Sequence, residues 1–173
     1  MKFLLSMATA ATVAAFSTMP ATAQTATADI GVTLDVQASC TATATPLTFP
    51  AATGNIAAPI NGTATVDVTC TNGATYELGL NGGGENSTAA RKMTSTTVPA
   101  NKVDYQLYQE AGHTNVWGNV QGATVEGTGS GTAFTHTVYG QVSPQNAPVG
   151  SYSDTVTATI WYGSSTAPAG GGN

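Results

Sequence analysis

Apolar and polar residues alternate along most of the chain, in short runs broken by Gly, Asn and Pro. The first clean run is residues 29–38. Ile30, Val32, Leu34, Val36 and Ala38 occupy every second position, with Gly31, Thr33, Asp35 and Gln37 between them. Period two places the apolar set on one face of an extended strand. Residues 40–50 follow, with Leu47 and Phe49 alternating. Asn61-Gly62 predicts a turn, and residues 63–71 a strand with Ala64, Val66, Val68 and Cys70 on one face. Asn72-Gly73 leads into a run carrying Tyr76, Leu78 and Leu80. Two alternating runs joined by Asn-Gly predict a hairpin, because both residues of its tight turn need φ > 0. A third pair, Asn81-Gly82, opens a loop reaching Ala90.

The second half continues the pattern. Residues 91–95 form a short run around Met93, and residues 103–108 a better one with Val103, Tyr105 and Leu107. Val116-Trp117 is a further short candidate. Residues 122–131 read as a Gly-rich loop, 133–142 as a strand with Phe134, Val138 and Tyr139, and 144–150 as a turn by composition. Residues 152–162 predict the longest strand, with Val156, Ala158, Ile160 and Tyr162 on one face and a length of about 35 Å. Residues 163–173, rich in Gly, Ser and Ala, predict a flexible, disordered tail. No amphipathic helix is signalled after residue 23. Many short strands of this kind predict an all-β sandwich or barrel.

Processing and composition narrow the class. Lys2, an apolar run over residues 3–16 and Ala21-Thr22-Ala23 predict a secretory signal peptide over residues 1–23. No later stretch of about 20 apolar residues exists, so no helix is expected to insert in a membrane. About 150 residues remain, one domain's worth. Arg91, Lys92 and Lys102 then stand against nine acids, which lacks the basic footprint of a nucleic-acid binder. Abundant Thr fits the outer faces of strands. Cys40 and Cys70 in an exported chain predict one disulfide, worth roughly 3.5 kcal/mol for a loop of about 30 residues.

Candidate chemistry is sparse. Gly82-Gly83-Gly84 lacks the Lys-Ser/Thr and strand-to-helix context of a phosphate loop. His113 and His136 sit at no metal spacing and in no hydrolase motif, and Gly-x-Ser-x-Gly is missing. His113 reads as a loop residue and His136 as a strand residue. Asp29, Asp35, Asp67, Asp104 and Asp154 mostly alternate with apolar neighbours and read as solvent-facing. The expectation is a protein without catalytic, metal or cofactor-binding residues, and not an enzyme.

These residues together resemble a family. The landmarks are the alternating start leading to Cys40, then Cys70, Tyr76-x-Leu78, Arg91-Lys92-Met93, Tyr105-x-Leu107-Tyr108 and Trp117-Gly118. Val138-Tyr139-Gly140-x-Val142, Gln145, Pro148, residues 150–154, Val156 and Tyr162 complete the series. Over residues 30–162 the chain closely resembles spore coat protein U-like domains, the group that contains subunits of archaic (Csu-type) chaperone–usher pili. The resemblance implies an incomplete immunoglobulin-like β-sandwich (residues 39–162) whose missing strand leaves an apolar groove. The groove's edge strand would carry Val156, Ala158, Ile160 and Tyr162. A periplasmic chaperone would fill it first. At the outer-membrane usher, the N-terminal donor strand (residues 24–38, with Ile30, Val32, Leu34 and Val36 as its apolar knobs) of an identical or related subunit would then replace the chaperone. The implied role is a shaft subunit of a homo-polymeric pilus, secreted through the periplasm to the cell surface for adhesion and biofilm formation. The alternative is a self-complemented secreted coat or matrix protein. The eleven residues after Tyr162 depart from the family's usual ending.

Overall fold

The computed structural model describes residues 23–53 and 55–169. Apart from Ala23, the expected signal peptide lies outside them, as do residues 170–173 of the expected tail. The chain divides after Asp35 into two units. In the first, residues 23–35 join no β-ladder.

The second unit is all-β. Its strands are β1 (Cys40–Ala44), β2 (Ile60–Cys70), β3 (Thr75–Leu80), β4 (Lys92–Ser95), β5 (Lys102–Asp104), β6 (Gln106–Tyr108), β7 (Val125–Thr128), β8 (Ala133–Val142), β9 (Tyr152–Ser153) and β10 (Ala158–Tyr162). They form three antiparallel sheets, ordered β1-β2-β8-β6, β10-β3-β7 and β5-β4-β9. Alternation works as expected on β2 and β3: Val66, Val68, Cys70, Tyr76, Leu78 and Leu80 are buried, and they meet Leu107, Trp117, Val138 and Val142 in one core. Trp117 is 1 % exposed, and its indole N–H donates to the Leu78 carbonyl at 2.9 Å. Cys40 and Cys70 lie opposite each other in the β1–β2 ladder and are disulfide-bonded.

Several elements differ from the sequence reading. Asn72-Gly73 does not make a hairpin: β2 pairs with β1 and β8, whereas β3 pairs with β10 and β7. Only Gly73 has positive φ (+80°), and the Ala74 N–H donates to the Thr71 carbonyl, the pattern of a type II turn. Such a turn splays its flanks, so the chain crosses from one sheet to the other. Asn61-Gly62 lies inside β2, which makes that strand the longest at 11 residues. Residues 103–108 split at Tyr105, with β5 on β4 and β6 on β8. Val116 makes only an isolated bridge to Tyr108. The expected Gly-rich loop contains β7, whose Gly127 admits the Tyr76 ring: a Cβ there would lie 2.3 Å from Tyr76 Cζ.

The expected long strand over residues 152–162 divides as well. Tyr152-Ser153 pairs with β4 and Ala158–Tyr162 with β3. Between them Asp154 accepts from Gly84 N, Thr155 N and the Tyr105 hydroxyl, at 2.9, 2.8 and 2.6 Å. Asp154 is therefore an anchoring residue and not a solvent-facing one. In the described part of the tail, Ala167 is 2 % exposed, and the Gln121 N–H donates to the Pro168 carbonyl at 2.9 Å.

Candidate functional site

The core is not closed. A cavity of about 910 Å³ opens between two stretches of chain. One wall is residues 44–52, led by Leu47 and Phe49. The other is residues 147–156, with Tyr152 and Val156. Ala64, Val66, Leu80, Met93, Val103 and Val138 are among the residues beneath.

The first wall leaves the sheet because of its prolines. The β1 ladder ends at Ala44, one further bond runs from Thr45 N to the Thr65 carbonyl, and Pro46 follows without a donor. Leu47 and Phe49 then seat over Gly62 and Gly140, which are direct partners in the β2–β8 ladder. A Cβ on Gly140 would stand 2.7 Å from Leu47 Cδ1, and one on Gly62 would stand 2.9 Å from the Thr48 carbonyl oxygen. Phe49 packs edge-on to Tyr105, with ring centroids 6.3 Å apart.

The floor, at Leu80, is held by a buried cation. Arg91 is fully buried. Its guanidinium donates to the carbonyls of Asn81 (2.9 Å), Thr88 (3.3 Å), Leu80 (2.8 Å) and Trp117 (2.7 Å) and to Gln106 Oε1 (2.5 Å). Burial lowers its pKa to about 10, against the raising effect of Tyr105 and Asp154, so it stays charged at neutral pH. Burial, and then the bond to Asp154, push the Tyr105 hydroxyl well above the ordinary phenol range. It remains the donor to Asp154. Arg91, Tyr105 and Asp154 thus fasten the point where the chain changes sheets, directly beside the cavity.

Of the residues expected at the groove edge, Val156 and Ala158 line the cavity. Ile160 and Tyr162 lie farther along and pack against the core without lining it. Val156 stands outside the β10 ladder. The strands β1 and β10 are each the last in their sheets among the described residues. Ile30, Val32, Leu34 and Val36 are 72 to 89 % exposed. The sequence reading named Arg91, Tyr105, Gly62 and Gly140 without their roles here, and did not single out Gln106. The signal for Arg91 was there: a lone guanidinium beside a strand, in a chain with very few charges. Among the described residues no group of three or more metal-ligating side chains assembles, and no helix is long and apolar enough to cross a membrane.

Comparison with known proteins places this architecture. The Spore Coat Protein U domain matches residues 26–159. Protein U of Myxococcus xanthus is 33 % identical over 172 residues, covering 88 % of this chain and 93 % of the relative. A chain in the crystal structure of the CsuC–CsuE chaperone–tip adhesion subunit pre-assembly complex, from the archaic chaperone–usher Csu pili of Acinetobacter baumannii, shares the fold. There the TM-score is 0.54 and the identity 19 %, over 72 % of this chain and 40 % of that one. The present chain therefore spans well under half of that solved chain. The family match runs from the alternating N-terminal segment through both cavity walls to Thr159 in β10, so the chain is a member of the Spore Coat Protein U domain family.

Proposed function

We propose that this chain is a structural subunit of a chaperone–usher pilus that polymerises by accepting a strand from its neighbour. The observation that carries the reading is the open cavity between residues 44–52 and 147–156, which follow and precede the edge strands β1 and β10. A single domain with unpaired edges beside an unfilled core is an aggregation hazard unless a partner strand is supplied. Strand addition gives both ladder bonds and pockets for alternate side chains. The segment with Ile30, Val32, Leu34 and Val36 has the required period and exposes those side chains. Their burial contributes about 6–12 kcal/mol before entropy, at about 1.5–3 for each. The sequence of partners is then a periplasmic chaperone, an outer-membrane usher and further copies of the subunit. A chain that both donates and accepts belongs in the shaft, on the cell surface, in adhesion and biofilm formation. No enzymatic step is assigned.

The experiment is deletion of residues 24–36 in cells that also make the chaperone and usher, with surface polymers followed on non-denaturing gels. Loss of polymer with retention of the chaperone-bound subunit is expected. Polymers that persist overturn the reading. A second reading, a self-complemented secreted coat protein, draws on the match to Protein U along nearly its whole length. It predicts a monomer that unfolds and refolds reversibly without a chaperone and loses that stability when residues 24–36 are removed.

A further inference from the structure

A second cavity, of about 430 Å³, lies on the outer face of the β10-β3-β7 sheet and is distinct from the groove. One wall is the sheet itself, with Trp161, Glu77 and Glu126 in a single row of ladder partners and Thr75 opposite Thr128 in the next. The other wall is the tail, with Gly163, Ser165 and Thr166. The tail is held there: the Ser165 N–H donates to the Tyr162 carbonyl at 3.2 Å, the Ala167 N–H to Glu77 Oε1 at 3.5 Å, and the Gln121 N–H to the Pro168 carbonyl. Trp161 is braced from below, since a Cβ on Gly79 would stand 2.8 Å from its Cζ3.

The charge pattern points to the occupant. Like charges directly opposite in an antiparallel ladder repel. Glu77 and Glu126 are such a pair, yet among the described residues every basic side chain is committed elsewhere. Arg91 is buried on neutral acceptors, Lys92 pairs with Asp104 at 3.0 Å, and Lys102 pairs with Glu85. Glu77 keeps only the Thr124 hydroxyl (3.0 Å) and the long bond from Ala167. The row is therefore a pair of carboxylates with no basic side chain of the described residues beside it, and it is open to a cation from outside. The volume fits an organic ring and far exceeds one metal ion. An indole attracts a cation by its ring face and gives a metal no ligand. Four hydroxyls, from Thr75, Thr128, Ser165 and Thr166, add neutral hydrogen-bonding capacity.

We propose that this cavity binds an amino sugar with a free ammonium group, of the glucosamine type. The ring stacks against Trp161, the ammonium sits between Glu77 and Glu126, and the sugar hydroxyls meet the four threonine and serine hydroxyls. The site does not depend on the groove or on polymerisation.

The test is calorimetric titration of the full mature chain, in whatever assembly state it is purified, with a glucosamine tetramer, its N-acetylated counterpart and spermidine. The glucosamine tetramer should bind saturably and more weakly as salt rises. Its tryptophan quenching should come from Trp161, because Trp117 is 1 % exposed. Glu126→Gln, at an exposed side chain that makes no internal bond, should weaken binding about threefold or more. Trp161→Phe should weaken it severalfold and Trp161→Ala more. Equal binding of the N-acetylated tetramer overturns the ammonium assignment. Tight binding of spermidine that Trp161→Phe leaves unchanged overturns the sugar assignment. Absence of any saturable heat, or a Glu126→Gln titration identical to wild type, overturns the site.

Discussion

Arg91→Lys keeps the charge and removes the geometry, so it isolates what the buried guanidinium does. The arginine satisfies four carbonyls and one side-chain amide oxygen from three nitrogens spread across a plane. An ammonium offers three donors from one point, so at least two of the five acceptors lose their partner. A buried acceptor left unsatisfied costs about 1–3 kcal/mol. The substitution should therefore cost about 2–6 kcal/mol, a large part of the roughly 5–15 kcal/mol that keeps a domain folded. Conserving the charge gives no relief. Burial already depresses the arginine to about 10, and a lysine in the same place sheds its proton more readily. Chemical denaturation of the disulfide-intact protein measures the change as a lower midpoint at similar slope. Lys92→Arg is the control, because its ion pair with Asp104 is exposed and should move stability by no more than about 0.5 kcal/mol. If Arg91→Lys falls within that same margin, the bond network is not what holds the floor of the groove.

Other expectations follow from single contacts. His136 Nε2 lies 2.8 Å from the Tyr76 hydroxyl, and burial lowers its pKa. Burial disfavours the charged ring, so the unfolded chain takes up the proton first. Stability should be full above about pH 6.5 and fall below it, by at most about 1.4 kcal/mol per pH unit. Denaturation midpoints at pH 5 and pH 7 should show this in wild type but not in His136→Gln. Reduction, or Cys40→Ser with Cys70→Ser, should cost about 3.5 kcal/mol by the loop-entropy estimate, read by the same denaturation. Gly140→Leu should drive Leu47 and Phe49 off their seat, costing about 1–3 kcal/mol as overpacking. It should also slow polymer growth in an assembly assay, whereas a surface change such as Thr137→Ser should alter neither.

Period-two alternation made β2, β3, β8 and β10 legible, because one face of each is buried in a single core. Two cysteines in an exported chain pointed to the Cys40–Cys70 bond, and the family resemblance, not the alternation, singled out Val156 and Ala158, which line the cavity. Partner choice was not legible. Asn72-Gly73 favours a reversal of direction, but whether it closes a hairpin or crosses between sheets depends on which φ becomes positive, and only Gly73's does. Residues 152–162 look like one strand because side-chain alternation continues through a change of hydrogen-bonding partner. β7 was hidden because Glu126 and Gly127 are poor strand residues locally. Gly127 is used because the Tyr76 ring occupies the space of a side chain. The seat of Ala167 was not legible because composition says nothing of a docking surface: the residue is buried by what it lands on.

The groove itself follows from where the chain refuses to pair. A closed sandwich would need residues 45–50 to continue along the free edge of β2. Pro46 and Pro50 supply no N–H for that ladder. The segment instead lifts away and anchors Leu47 and Phe49 in the notch left by Gly62 and Gly140. On the opposite side, residues 154–157 turn their polar groups inward to the Asn81–Gly84 turn: Thr157 N donates to Asn81 Oδ1 at 2.9 Å, and Gly84 N donates to Asp154. Each wall is thereby satisfied by its own side of the molecule and neither closes on the other. The space between them stays open because two proline breaks and two opposed glycines seat one wall, while the Asn81–Gly84 turn, bonded to the buried arginine through the Asn81 carbonyl, seats the other. Collapse of either wall would have to undo those contacts before it gained any core burial. On the proposed reading, an extended strand with alternating apolar residues would fill the same space without undoing any of them.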